Sequence, residues 1–112
     1  MKVQLLTFPG CPNAVAAREL LQRVLTSSGT CASIEDVDTT APETPEELRG
    51  WGSPTILING EDVAHEAPNG SSCRLYRDSE GRVRGTPDES LLRSALNALG
   101  GPRGRDDYGG MA

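Results

Sequence analysis

The chain has 112 residues, enough for one domain with a single modest core and too few for two. Its formal net charge of −5 argues against the broad positive field that binds nucleic acids or anionic membranes, so we expect neither as a partner. The first ten residues lack a signal-peptide core, and no segment approaches the roughly 20 apolar residues of a membrane span. We therefore expect a cytoplasmic protein, in which three cysteines without a regular framework are reduced thiols.

The first third of the chain predicts a strand followed by a helix. Residues 2–8 are typical of a short strand that ends at Pro9-Gly10. Apolar residues then recur at helical spacing, with Pro12 just inside the start and Gly29 just past the end, which predicts a helix of about 16 residues. The apolar stripe of this helix comprises Ala14, Ala17, Leu20, Leu21, Val24 and Leu25.

The middle third predicts two further strands and a short helix. Residues 31–39 are typical of a strand, and Thr44 before Pro45 and two glutamates indicates an N-cap and a short helix. Residues 54–60, PTILING, contain a continuous apolar run typical of a strand buried on both faces, and Asn59-Gly60 is a strong turn signal.

The last third predicts a loop, a hairpin, a helix and a tail. Residues 61–72 read as a loop and residues 73–85 as a hairpin. A helix runs from Pro87 to Leu99, and residues 101–112 have no apolar face, which predicts a disordered tail. Because strands alternate with helices, we expect one α/β domain over residues 1–100, with a central mixed sheet and helices on both faces.

Cys11 lies where the first strand gives way to the first helix. The unpaired N–H groups and the positive dipole end of a helix favour a thiolate over a thiol, so this position suits a nucleophile. The alternative is a small buried residue at a turn, which is common for free cysteines.

Pro54 starts the third strand, in the segment GSPTILING. Proline is tolerated there because its nitrogen need not join the hydrogen-bond ladder, and a tight entry permits a cis Ser53-Pro54 bond. The alternative is that Pro54 merely ends a loop. The sequence does not determine whether the Ser53-Pro54 bond is cis or trans.

Two motifs together resemble the thioredoxin-fold superfamily, which includes thioredoxins and glutaredoxins. FPGCPNA lies at a strand-to-helix junction some forty residues before GSPTILING, and the resemblance covers roughly residues 2–99. It implies a thioredoxin-like fold in which Cys11 is the nucleophile. It also implies that the residues facing the substrate are Pro12, Ser53, Pro54 and Thr55.

The chain departs from dithiol members of that superfamily at Ala14, where they carry a second cysteine. Cys31 follows a helix about 24 Å long, whereas a disulfide needs alpha carbons within about 7 Å, so we expect Cys31 to be structural. The residues alone leave Cys73 open. However, SSCRLYR resembles a group of small actinobacterial-type thioredoxin-like proteins, some labelled alkylmercury-lyase-like, in which a cysteine before RLYR recurs. That resemblance implies Cys73 as the partner of Cys11.

Two further features have competing interpretations. Trp51, just before the proline loop, is either a hydrophobic lip for substrate or a residue packed under the loop. Four arginines near the hairpin outnumber its acidic residues and could receive the carboxylates of a low-molecular-weight thiol, such as glutathione or mycothiol. A solvated hairpin face is the alternative, and it is the preferred interpretation. These arginines are Arg74, Arg77, Arg82 and Arg84.

The leading hypothesis is a thiol-disulfide oxidoreductase or thiol-transfer protein without a bound cofactor, acting on a protein or small-molecule disulfide. Cys11 is its nucleophile, and Cys73 or a small thiol resolves the intermediate. A second hypothesis is a carrier of a soft metal, an organomercurial or sulfur. His65 and Glu66 could join such a site, but their spacing does not favour a metal. A third is a redox-silent interaction domain.

Overall fold

The computed structural model describes residues 1–30, 32–68, 70 and 73–100. Of residues 99 and 100 it describes only the backbone. Cys31 and the predicted tail therefore lie outside the described residues. The strands are β1 Val3–Thr7, β2 Ile34–Asp38, β3 Thr55–Ile58, β4 Glu61–Asp62, β5 Tyr76–Arg77 and β6 Val83–Arg84. The α-helices are α1 Ala14–Ser27 and α2 Glu89–Ala95, which continues as a π-helical turn Leu96–Gly100, and a 3₁₀ turn spans Glu46–Leu48.

The central sheet is mixed, in the order β2-β1-β3-β4. β1 pairs in parallel with β2 and antiparallel with β3. Asn59 and Gly60, both at positive φ, connect β3 to the antiparallel β4, as the turn signal predicts. The predicted α/β class with a mixed sheet is confirmed, whereas the assignment of residues 61 and 62 to a loop is wrong because they pair with β3.

Both α-helices cover the same face of this sheet. Side chains alternate between faces along a strand, and Val3, Leu5, Ile56 and Ile58 point to this side. They pack with residues of α1, α2 and the π-helical turn, namely Ala17, Leu20, Leu21, Val24, Leu25, Leu92, Ala95 and Leu96. The expectation of helices on both faces is therefore wrong, because the order of strands and helices does not determine which side each helix takes.

The opposite face has a thinner cover. Leu6 of β1 and Leu57 of β3 pack there against Trp51, with Val37 and Leu48 at the edge. Leu48 comes from the 3₁₀ turn, so a short turn and the loop before β3 replace a helix on this side. Trp51 is consequently part of the core.

The first helix is shorter than predicted. It begins at Ala14, after two turns in which the Cys11 N–H donates to the Phe8 carbonyl and the Ala14 N–H donates to the Cys11 carbonyl. Pro12 therefore lies in the turn before the helix and not inside it. The helix ends at Ser27, and Gly29 lies just past its end as expected, with a φ of 72° that suits a residue without a side chain.

Thr44 does not cap the 3₁₀ turn, so the predicted N-cap is wrong. The position before the turn is Pro45, without a side-chain cap, and the Thr44 hydroxyl donates instead to the Asp38 carbonyl. The Arg49 guanidinium donates to the carbonyl of Thr44 and to those of two preceding residues, Ala41 and Pro42. Side chains of this loop thus satisfy its own backbone, which holds the loop against β2.

The predicted hairpin is confirmed as β5 and β6, a small sheet separate from the central one. Asp78 organises its turn, because one carboxylate oxygen accepts the N–H groups of Glu80 and Arg82 and the other accepts the side chains of Arg82 and Arg84. These interactions hold the pKa of Asp78 at about 2, through the backbone hydrogen bond from Arg82 above all, with burial opposing the shift.

In the described part of the chain, no helix is both long and apolar enough to cross a membrane.

Candidate thiol site

Cys11 is a free, partly exposed thiol in the turn that joins β1 to α1. Gly10, at a φ of 85°, lets the chain turn sharply before it. The first helical residue, Ala14, follows three positions later and is tied to the Cys11 carbonyl by its N–H. The predicted position of Cys11 at a strand-to-helix junction is therefore correct, although the cysteine precedes the helix by one turn.

The Ser53–Pro54 loop lies beside the segment that leads to Cys11. The peptide bond between Ser53 and Pro54 is cis. Ser53 is fully buried, and its hydroxyl accepts a hydrogen bond of 3.4 Å from the Phe8 N–H. The Thr55 hydroxyl is also buried and donates to the Gly52 carbonyl at 2.6 Å, which closes the loop on itself.

Cys73 is the second free thiol, and it is exposed. A parallel β-bridge joins Cys73 to Ser53, and the N–H of the next residue, Arg74, donates to the Ser53 carbonyl at 2.8 Å. Ser53 therefore contacts both cysteine-bearing segments, through its hydroxyl on one and its carbonyl on the other. The structure brings Cys73 to the predicted loop, which the residues alone left open.

The Arg74 side chain is anchored in the fold and does not belong to the solvated arginine face. Its two terminal nitrogens donate to the two carboxylate oxygens of Asp62 at 2.9 and 2.6 Å, and one of them also donates to the Thr55 hydroxyl at 3.0 Å. The guanidinium carbon lies 4.6 Å from the centre of the Tyr76 ring and 5.8 Å from that of Trp51. Such bidentate, stacked geometry is specific to arginine.

Asp62 and Tyr76 both contact the Arg74 side chain, and the three residues together are called the anchoring cluster below. The Asp62 side chain is only 1% exposed, and it also accepts the Glu66 N–H at 3.0 Å. The buried Tyr76 hydroxyl donates to the Pro54 carbonyl at 2.6 Å. Burial raises the pKa of Tyr76, although the Arg74 charge acts in the opposite direction, so the phenol stays protonated as a donor.

The other arginines form the solvated hairpin face that the sequence favoured. Arg77, Arg82 and Arg84 are all exposed. Arg82 and Arg84 bind Asp78, while Arg77 donates to the Gly81 carbonyl. Their interactions are local to the hairpin.

Trp51 is packed under the proline loop, as one interpretation expects, and it also lines a cavity, as a lip for substrate would. It is 8% exposed and packs with Leu6 and Leu57, which confirms the packing interpretation. It also lines a cavity of about 230 Å³ together with Cys73 and Arg74. Whether substrate contacts it there remains a prediction.

Sequence reasoning missed the anchoring cluster. Asp62 was placed in a loop, Tyr76 was not singled out, and Arg74 was grouped with the hairpin arginines. A buried Arg–Asp pair has no periodic signature, and the partners here are 12 positions apart. His65 and Glu66, named for a soft-metal site, are both exposed. In the portion of the chain covered by the structure, no group of three or more potential ligands is arranged to hold a metal ion.

The chain matches no family model, no curated protein and no solved structure. The assignment of a function therefore depends on the chemistry of the site. Among the described residues, Cys11 and Cys73 are free thiols on segments that contact Ser53, and thiols carry out thiol-disulfide exchange, in which a thiolate attacks a disulfide sulfur and a second thiol displaces the product.

Proposed function

We propose that this protein is a thiol-disulfide oxidoreductase or thiol-transfer protein with a thioredoxin-like fold, in which Cys11 is the nucleophile. The Cys11 thiolate attacks one sulfur of a disulfide, forms a mixed disulfide and releases the other half as a thiolate. The Cys73 thiolate then attacks the Cys11 sulfur, which forms a Cys11–Cys73 disulfide and releases the second half. A small thiol in place of Cys73 is the other route for this second step.

One observation carries this proposal: Ser53 is hydrogen-bonded to the segment that bears Cys11 and to the segment that bears Cys73. The Phe8 N–H, three residues before Cys11, and the Arg74 N–H, one residue after Cys73, both donate to it. The loop that the family resemblance assigns to substrate is thus adjacent to both segments. Ala14 rules out exchange within a C-x-x-C motif, so the second thiol must come from another segment or from a small molecule.

The proposal makes a prediction that differs from what exposure alone would give. Cys73 is the more exposed thiol and Cys11 only partly so. If accessibility governed reactivity, a disulfide would label Cys73 first. We expect Cys11 to react first, because it lies just before the first turn of α1, the position that the resemblance to the thioredoxin-fold superfamily gives to the nucleophile.

The test is the reaction of four proteins with glutathione disulfide: the natural chain and the variants Cys11→Ser, Cys73→Ser and Cys31→Ser. We expect Cys11→Ser to abolish rapid exchange and Cys73→Ser to accumulate a stable adduct on Cys11. The matched control Cys31→Ser should behave like the natural chain. Rapid exchange that survives Cys11→Ser would contradict the proposal.

A further inference from the structure

The segment that carries Cys73 alternates between solvent and core. Cys73 and Leu75 are exposed, Leu75 by 64%, whereas the Arg74 side chain is only 10% exposed and Tyr76 is 4% exposed. The exposed Cys73 is thus followed by Arg74, a residue with an anchored side chain.

Hydrogen bonds of Arg74, here called the anchor, connect the central sheet to the segment that bears Cys73. Asp62 belongs to β4, which pairs with β3, so its position is set by the sheet. Its carboxylate fixes the guanidinium of Arg74 with two parallel hydrogen bonds, and Thr55 of β3 accepts a third. The Arg74 main chain then donates to the Ser53 carbonyl, directly next to Cys73.

Stability alone does not account for an ion pair at this place. Two apolar side chains of similar size in such a buried position are often as stabilising as the charged pair, because burying charges carries a desolvation cost. What the pair adds is a fixed orientation of the Arg74 side chain. A planar guanidinium with two hydrogen bonds to one carboxylate can take one orientation, whereas an apolar side chain can take several.

We infer that Arg74 is a positioning residue that, through Asp62, holds Cys73 against the Ser53–Pro54 loop for attack on the Cys11 mixed disulfide. This inference rests on the proposed function. Arg74 itself does not touch the reacting sulfurs in this role; it raises the effective concentration of the second thiol. A displacement of about 1 Å in a reacting group can cost a factor of about 100, so loss of the anchor should lower that concentration by about tenfold or more.

The test replaces the pair by apolar residues, as Arg74→Met with Asp62→Leu, so that no buried charge is left unpaired. The equilibrium between the Cys11–Cys73 disulfide and a glutathione buffer gives the effective concentration of the two thiols. The rate at which Cys11 forms its first adduct is measured separately in a Cys73→Ser background. We expect the effective concentration to fall by about tenfold or more while the first rate changes by less than about twofold.

The matched control is Arg82→Met with Glu80→Leu, which removes an exposed ion pair of 2.8 Å and one side-chain bond to Asp78, while Arg84 and two backbone N–H groups still bind Asp78; it should change neither quantity. Arg74→Lys keeps the charge but loses the fork, so it should give an intermediate effective concentration. This second variant keeps the inference testable if the double variant does not fold.

The outcomes separate the two proposals. If the natural chain links Cys11 to Cys73 and the Arg74 variants keep the full effective concentration, the inference is wrong and the proposed function stands. If the natural chain forms no such link, the Cys73 route of the proposed function fails and the inference falls with it.

Discussion

Removing the negative charge of Asp62 should destabilise the protein far more than removing an exposed carboxylate. In Asp62→Asn the Arg74 guanidinium, with 10% of its side chain exposed, loses its two-bond partner and faces an amide N–H₂. Breaking a buried pair in this way typically costs about 3–5 kcal/mol. We expect the lower end, about 3 kcal/mol, because the Glu66 carboxylate remains 3.5 Å from the guanidinium and partly replaces the lost charge.

Thermal and denaturant unfolding, followed by circular dichroism, measure this cost. At about 4–8 °C per kcal/mol for a domain of this size, a loss of about 3 kcal/mol lowers the Tm by about 12–24 °C. The matched control is Asp36→Asn, which removes the exposed pair with Arg18 and should cost at most about 1 kcal/mol. The double variant Asp62→Leu, Arg74→Met should recover most of the stability. Equal losses for Asp62→Asn and Asp36→Asn would refute the reasoning.

Three further predictions test other parts of the structure. Tyr76→Phe leaves a buried carbonyl without its donor and should cost about 1–3 kcal/mol in denaturant unfolding; a change near zero would contradict the hydrogen bond. The pKa of Asp78 lies at about 2 in the folded chain, below its ordinary 3.8, so its contribution to stability is complete above about pH 4 and is lost as the pH falls towards 2. A carboxyl titration by NMR checks this, and a midpoint near 4 would show that the backbone N–H of Arg82 does not bind it. In Gly85→Ala the new methyl group would lie 2.2–2.6 Å from the Asn13 side chain, which must turn aside, so the gain in Tm that alanine gives over glycine should be larger when Asn13→Ala is also present; an equal gain with and without Asn13→Ala would contradict the contact.

The elements marked by local signals were predictable from the sequence. The stripe from Ala17 to Leu25 and the stop at Gly29 indicated α1, and Asn59-Gly60 indicated the turn after β3. The start of α1 was placed too early because Pro12 suits both a first helical turn and the turn before it. Pro12 has no N–H to donate in either place, so its presence does not distinguish them.

The arrangement of the elements and the support of the site were less predictable. Local patterns do not tell on which face of a sheet a helix lies, and α2 joined α1 on one face. The sequence singles out Cys11 because Pro12 follows it at a strand-to-helix junction, and it singles out the Ser53–Pro54 loop because Pro54 precedes a buried strand. The pairing of Arg74 with Asp62 depends on the path of the chain between them, for which no local pattern exists.

The most direct test of the central claim is a time course of the natural, reduced chain with glutathione disulfide, quenched by alkylation and mapped by mass spectrometry. We predict that glutathione appears first on Cys11 and that this adduct then gives way to a Cys11–Cys73 disulfide. Glutathione that appears first on the more exposed Cys73, while Cys11 stays reduced, would contradict it.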